Sequence, residues 1–281
     1  MKIHVWGSRG NCPVPGSSTV EYGGNTSCVE IVLSDGSRII LDAGSGLRNL
    51  GKRILKERMQ KEIHMFLTHA HWDHISGLPY FAPLFSPEYS VVIHAGPIDK
   101  EQIRKQVMTL LSEPYFPAQE KRILANLQFA RAMPMVQRVG SAELQPIALN
   151  HPDGGYGFKI IDQGDTFLYM PDNELEGREY PDGETYYEYV QRFKSTDLLF
   201  HDAQFTPEEF ANRRGQGHSS FVSALNIAMT AGVKRLGLFH HDPERTDDQL
   251  EKLDKLAKDY VERNESKMSV FVVREGMEID I

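Results

Sequence analysis

The chain has 281 residues and a mass of 31.9 kDa, with 40% hydrophobic and 25% charged residues. These are the proportions of a soluble globular protein whose core sustains itself. A formal charge of −8 and a pI near 5.8 argue against a broad nucleic-acid-binding surface. Two cysteines, Cys12 and Cys28, make no disulfide framework. No leader and no apolar run of membrane-spanning length is visible, so a reduced, cytoplasmic protein is expected.

Short apolar runs punctuated by Gly, Pro or Asp predict strands at Lys2–Trp6, Ser27–Leu33 and Arg38–Leu41. A helix marked by Leu47, Leu50 and Ile54 follows, then strands at Ile63–Thr68 and Ser90–His94. Helical spacing returns at Ile103, Val107, Leu110 and Leu111, and a third helix is predicted around Ile123, Leu124 and Leu127. Strands are predicted at Leu144–Leu149, Phe158–Ile161, Phe167–Met170 and Asp197–Phe200. The C-terminal part alternates: a helix on Phe221, Val222, Leu225 and Ala228, a strand at Arg235–Phe239, an amphipathic helix on Leu250, Leu253, Leu256 and Tyr260, and a strand at Ser269–Val273. The order predicts one layered α/β domain over 1–281. Segments near 97–135, helical and Pro-punctuated, and 173–195, acidic and Tyr-rich, read as insertions.

Eleven histidines are the unusual entry in this composition. The run Thr68-His69-Ala70-His71-Trp72-Asp73-His74 directly follows an apolar strand. Three imidazoles and a carboxylate so close together are costly to bury without a partner that orders and neutralises them. A divalent metal is such a partner, and neutral imidazole with carboxylate suits zinc, manganese or iron. The spacing is neither a helix-face repeat nor strand alternation, which places these residues on a loop that fans them around two points.

The HxHxDH pattern after an apolar strand, with Leu41-Asp42-Ala43-Gly44 closing an earlier one, resembles the metallo-β-lactamase superfamily. His151 after PIALN, Asp172 after Phe167–Pro171 and His240 after Leu236–Phe239 follow in the family's order. The resemblance implies an αββα sandwich of two mixed sheets with two metal ions in the cleft at their edges. It implies that His69, His71 and His151 hold one metal, that Asp73, His74 and His240 hold the other, and that Asp172 bridges them. Asp42 would fix the ligand loop without binding metal. Two metals so held supply a bridging hydroxide at neutral pH, with Asp73 counted among the catalytic groups, and hydrolysis is the reaction expected.

The stretch Phe200-His201-Asp202-Ala203, followed by Gly217-His218-Ser219-Ser220, resembles the phosphodiesterase branch, which includes ribonuclease Z-type endonucleases and cyclic-nucleotide phosphodiesterases. There an acidic residue orients a histidine that protonates the leaving alkoxide. Asp202 and His218 match those positions, although Asp stands where many relatives carry Glu. A bland alternative makes His218 part of a helix N-terminus capped by Ser219 or Ser220. Arg9, Asn25 and Ser219 are candidates to bind substrate, because Gly-rich loops surround Arg9 and Asn25 and allow close approach to an anion. His4, His64 and His94 are expected to be ordinary polar groups, while His201 and His241 compete for supporting roles.

Ribonuclease Z-type enzymes carry a tRNA-gripping arm between the third and fourth metal motifs, yet only twenty residues separate His151 from Asp172. With the acidic charge, this favours a small cyclic nucleotide or cyclic phosphate over an extended nucleic acid. The alternatives are a tRNA 3′-end endoribonuclease, or an ester, lactone or thioester hydrolase. A diiron redox module is a further one, disfavoured because His71 stands where redox relatives place a carboxylate. No membrane partner is expected, and the 97–135 segment is read as a lid or a homodimer contact.

Overall fold

Two seven-stranded sheets form the centre of the protein, seen in a computed structural model that describes residues 1–94, 100–117, 123–130, 136–176, 180–181 and 183–281. In the first sheet β1 (Lys2–Gly7), β2 (Cys28–Val32) and β3 (Arg38–Leu41) run antiparallel. Then β4 (Glu62–Phe66), β5 (Ser90–His94) and β6 (Asn126–Ala130) continue parallel to β3. The second sheet repeats the plan. There β7 (Gln137–Val139), β8 (Ala142–Ala148), β9 (Tyr156–Asp162) and β10 (Asp165–Met170) are antiparallel. The strands β11 (Leu198–Asp202), β12 (Arg235–Phe239) and β13 (Ser269–Val272) then run parallel to β10. A last strand, β14 (Glu278–Asp280), pairs with the outer edge of β1.

Alternation along the strands gives each sheet an inner face, and Ile3, Val29, Ile31, Leu41, Phe66, Phe158, Phe167, Phe200 and Phe239 meet in the core between them. Each such fully buried aromatic contributes roughly 1.5–3 kcal/mol of burial. Outside the first sheet lie α1 (Leu47–Glu57) and α3 (Lys100–Leu110), whose apolar residues join a second core. Outside the second lie α4 (Tyr186–Phe193), α6 (Phe221–Ala231) and α7 (Asp247–Arg263), which build a third. The result is the expected αββα sandwich. No helix among the described residues is long and apolar enough to cross a membrane.

Local chemistry sets the helix ends. Thr185 with Glu188, Thr206 with Glu209 and Thr246 with Gln249 each form a reciprocal capping box, opening α4, α5 (Pro207–Ala211) and α7. The link between β9 and β10 is a two-residue turn, Gln163-Gly164, with φ of 53° and 98°, the left-handed pair that matches strand twist in a tight hairpin.

Two expectations need correction. The helix predicted around Ile123, Leu124 and Leu127 is not formed, because residues from Asn126 onward pair with β5 as its parallel neighbour β6. The metal motif is not wholly a loop: α2 (Trp72–Ile75) is a single helical turn that carries Asp73 and His74. The two segments read as insertions contribute to the layers. The first supplies α3 and β6, and the second supplies α4, whose Tyr189 and Phe193 are fully buried against the second sheet. Parts of both segments (97–99, 118–122, 131–135, 177–179 and 182) lie outside the described residues.

Candidate metal centre

The strand directions bring the chemistry to one edge of the sandwich. Asp42 follows β3, His69 follows β4, His151 follows β8, Asp172 follows β10, Asp202 ends β11 and His240 follows β12. This is the edge at the carboxyl ends of the parallel strands, where open α/β sheets collect ligands. Asp42, Asp172 and His240 hold φ of 58°, 48° and 59°, a left-handed backbone that turns each side chain sharply inward from its strand.

Three donor groups result among the described residues: Asp202, His218 and His240 form one, and the other two share Asp172. The ligand atoms of His69, His71, His151 and Asp172 lie within 4.8 Å of one another, as do those of Asp73, His74, Asp172 and His240. Asp172 lies between them. Its Oδ1 is 3.8 Å from His69 Nε2 and 4.0 Å from His151 Nε2, while its Oδ2 is 3.0 Å from His74 Nε2 and 3.2 Å from His240 Nε2. Asp73 Oδ2 completes the second group at 3.3 Å from His74 Nε2 and 3.2 Å from His240 Nε2. All seven except His71 are buried.

In four of the five rings the nitrogen turned away from the cluster is held by a neighbour that fixes the ring; His151 Nδ1 is buried with no hydrogen-bond partner among the described residues. His69 Nδ1 meets Thr68 Oγ1 at 2.9 Å, His74 Nδ1 donates to Asp42 Oδ2 at 2.8 Å, and His240 Nδ1 donates to Gln204 Oε1 at 3.0 Å. His71 Nε2 pairs with Asp153 Oδ2 at 2.8 Å, leaving Nδ1 as its metal-facing nitrogen. Asp42 also accepts from the Thr68 N–H at 2.8 Å and the Tyr169 hydroxyl at 3.0 Å. The Asn11 N–H donates to Asp73 Oδ2 at 2.7 Å. A Cβ at Gly10 would stand 2.5 Å from the His240 ring, and one at Gly217 only 2.3 Å from His151, so both loops must be glycine where they pass the imidazoles.

Titratable groups are concentrated here and shift one another. Burial pulls the His69 imidazole well below its ordinary value and His151 down to about 4, so both present the neutral, metal-binding form. Burial pushes the Asp172 carboxyl up, but His240, His74 and His69 outweigh it and hold it well down. His69 Nε2, His74 Nε2 and Asp172 Oδ2 are buried with no hydrogen-bond partner among the described residues. Orphaned, converging nitrogens and oxygens of this kind fit two divalent cations, with zinc, manganese or iron matching the donor set.

Beside this cluster stands the second pair. His218 Nδ1 donates to Asp202 Oδ2 at 2.8 Å, and Asp202 Oδ1 accepts from the Ser219 N–H at 2.9 Å. The His218 ring stacks on His240 with centroids 5.1 Å apart. Burial pulls the His218 imidazole down, but Asp202, Asp172 and Asp73 outweigh it and raise it to about 9. Ser220, not His218, caps α6, accepting from the Ser223 N–H at 3.1 Å.

Residues 37–241 match the family described as the beta-lactamase superfamily domain. The chain belongs to the metallo-β-lactamase superfamily. It is 25% identical over 272 residues to a ribonuclease Z of Porphyromonas gingivalis, spanning 80% of this chain and 87% of that one. Its fold is similar to the metallo-β-lactamase fold protein YhfI from Bacillus subtilis, with a TM-score of 0.71, 21% identity and coverage of 99% and 98%. It is also similar to a diphosphatase of the PhnP family, with a TM-score of 0.68, 18% identity and coverage of 100% and 97%. A second relative, a ribonuclease Z of Latilactobacillus sakei, is 26% identical over 245 residues, spanning 72% of this chain and 76% of that one.

The three expected substrate-binding side chains are engaged elsewhere in this metallo-β-lactamase scaffold. Arg9 is fully buried, with Nε donating to Gly23 O at 2.8 Å and Nη1 to Arg245 O at 2.7 Å and Asp242 O at 3.4 Å. It ties the N-terminal loop to the segment after β12, while its Nη2 is buried with no hydrogen-bond partner among the described residues. The Asn25 amide bridges Glu275 and the Ser45 hydroxyl, each at 2.8 Å. Ser219 Oγ accepts from the Leu175 N–H and donates to Asn173 O. His241 donates to Val273 O at 2.6 Å, outside the cluster. His201 lies behind it, bonded to Asn173 Nδ2 at 3.1 Å and to Asp202 O at 2.8 Å.

Sequence reasoning missed the supporting residues Thr68, Asp153, Tyr169, Asn173 and Gln204. It also missed Glu174, whose carboxylate accepts from the N–H groups of Gly215 and Gly217 and braces the loop before His218. Thr68, Asn173 and Glu174 adjoin expected ligands in the chain, and that adjacency was the available signal.

Proposed function

We propose that the protein is a dinuclear metal phosphodiesterase that cleaves a small cyclic nucleotide or cyclic phosphate. The observation that carries this reading is the Asp202–His218 pair, bonded at 2.8 Å and stacked against His240. In this reading His69, His71 and His151 hold one cation, Asp73, His74 and His240 hold the other, and Asp172 serves both. When bound, two divalent cations, zinc foremost, acidify water and neutralise charge on a phosphoryl group. With Nδ1 engaged by Asp202, His218 donates from Nε2 to the oxygen that leaves as the P–O bond breaks. A positioned acid of this kind contributes about 10²–10⁴-fold. Asp202 keeps the ring oriented and the imidazole protonated at neutral pH.

The β9–β10 hairpin supports a small substrate. Its two-residue turn fills the interval between His151 and Asp172 with strand and leaves no arm to grip a tRNA. The charge of −8 supports the same choice. The ribonuclease Z relatives favour a second reading, cleavage of precursor tRNA. The test is a panel of cyclic nucleotides, bis(p-nitrophenyl) phosphate, precursor tRNA and lactones, run on protein reconstituted with zinc, manganese or iron. Turnover of the small phosphodiesters is expected. Faster cleavage of precursor tRNA would favour the second reading, and lactone turnover with no phosphodiester turnover would overturn both.

A further inference from the structure

Glu174 buries a carboxylate that the chemistry above does not use. It is 1% exposed, and no cation pairs with it among the described residues. Three neutral donors hold it instead. The Gly215 N–H reaches Oε1 at 2.9 Å and Oε2 at 3.0 Å, the Gly217 N–H reaches Oε2 at 2.9 Å, and the Tyr180 hydroxyl donates to Oε2 at 2.7 Å. Gly215 and Gly217 have φ of 83° and 88°, the left-handed backbone that turns neighbouring N–H groups toward one anion. A buried carboxylate is costly to desolvate, and packing alone would favour an apolar side chain there.

Its place in the chain supplies a reason. Glu174 lies two residues past Asp172, and the loop it grips ends one residue before His218. The residues on either side of Glu174 cross to the same region. The Leu175 N–H donates to Ser219 Oγ at 3.1 Å, Ser219 Oγ donates to Asn173 O, and Asn173 Nδ2 donates to His201 Nε2 at 3.1 Å. His201 Nδ1 in turn donates to Asp202 O at 2.8 Å. Residues 173–175 therefore tie the segment after Asp172 to both members of the Asp202–His218 pair. Asp202 holds the His218 ring and the Ser219 N–H after it, while Glu174 holds the peptides before it. Slack is small there, since a Cβ at Gly217 would stand 2.3 Å from His151.

We propose that Glu174 is a positioning residue for proton transfer: by gripping the Gly215 and Gly217 amides it sets His218 at a fixed distance from Asp172, with the ring's Nε2 toward the leaving oxygen. This rests on the phosphodiesterase reading above. The Glu174 carboxylate is spent on Gly215, Gly217 and Tyr180, so it acts through His218 and not on the substrate. Its share of the rate is geometric, and misplacing a catalytic group by about 1 Å can cost about 10²-fold. Loss of a plain brace for the fold would slow every substrate alike. Loss of a positioning residue slows those whose leaving oxygen needs the proton.

The test is a series of phosphodiesters of rising leaving-group pKa, run on metal-loaded wild type, Glu174→Ala, Glu174→Gln and His218→Ala, with metal content measured for each. Glu174→Ala should lose about 10–100-fold in kcat on alkyl phosphodiesters, with KM and two ions per chain retained, and stay within about threefold of wild type on activated aryl ones. Glu174→Gln should recover most of that loss, because an amide with its oxygen where Oε2 stands keeps Gly215, Gly217 and Tyr180. If Glu174→Ala fails to fold, Glu174→Asp decides: it keeps the carboxylate with a shorter reach and should show the same selectivity on a smaller scale. Glu174→Ala slowing all substrates by one factor, or none of them, while His218→Ala separates them, would overturn the positioning role and leave the proton donor standing. Equal slowing of every substrate in His218→Ala would remove the proton donor, and the role of Glu174 with it.

Discussion

Asp42 and Asp202 occupy matching places in the two sheets, one just past β3 and the other ending β11. Both are fully buried, both accept a backbone N–H, and both grip a histidine Nδ1 at 2.8 Å. What differs is the imidazole's other surroundings. His74 Nε2 lies 3.0 Å from Asp172 and 3.3 Å from Asp73, inside a donor group. His218 stacks on His240 and stands outside both groups that share Asp172. In our reading, one carboxylate–imidazole device thus orients a metal ligand in the first sheet and a proton donor in the second.

The comparison breaks or sharpens under substitution. His218→Ala should lower kcat/KM on phosphodiesters with poor leaving groups by about 10²–10⁴-fold while metal analysis still finds two ions per chain. Asp42→Asn should act through the metals instead. Affinity for them should fall roughly 10–100-fold, all substrates should suffer together, and excess metal should restore the rate. If Asp42→Asn spared metal content and slowed only poor leaving groups, the two carboxylates would not have separate tasks.

Arg9 and His94 are buried groups outside this device, and both should affect stability and not catalysis. Arg9→Met strips three backbone carbonyls of their donor, and we expect a loss of about 3 kcal/mol in denaturant unfolding with KM unchanged. A raised KM would return Arg9 to the substrate site. His94 has no carboxylate partner among the described residues: it meets His64 Nδ1 at 3.0 Å and stacks on Phe66. Burial, reinforced by His64, lowers it from 6.5 to about 4. The folded state therefore resists a proton that the unfolded chain accepts. Stability held above pH 6.5 falls as pH drops toward 4, by about 2 kcal/mol at about pH 5. Unfolding curves of His94→Phe between those pH values should show a shallower slope, and an unchanged slope would contradict this origin.

The sandwich and its ligand groups were legible because they rest on strong local signals. Apolar runs marked the central strands, and His69, His71, Asp73 and His74 crowd into six residues. The misreadings came where partners decide. Ile123, Leu124 and Leu127 carry helical spacing, yet Leu127 and Phe129 alternate with Asn126 and Gln128, and the free edge of β5 selects that pattern. Strands β7 and β14, QRV and EID, carry a single apolar residue each, Val139 and Ile279, too little to mark a strand before pairing. The boxes Thr185–Glu188 and Thr206–Glu209 were readable signs of α4 and α5 that went unused. The three carbonyls that Arg9 meets were not legible, because a cation in a Gly-rich loop looks the same in sequence whether it meets an anion or backbone oxygens.

The central claim is that His218 gives its proton to the departing oxygen. It is tested most directly by kcat/KM for a series of phosphodiesters of rising leaving-group pKa, in the wild type and in His218→Ala. The account predicts that the two lines diverge: the variant's rate falls away steeply for alkoxides and stays close to wild type for activated phenolates. Parallel lines, with every substrate slowed by the same factor, would contradict it.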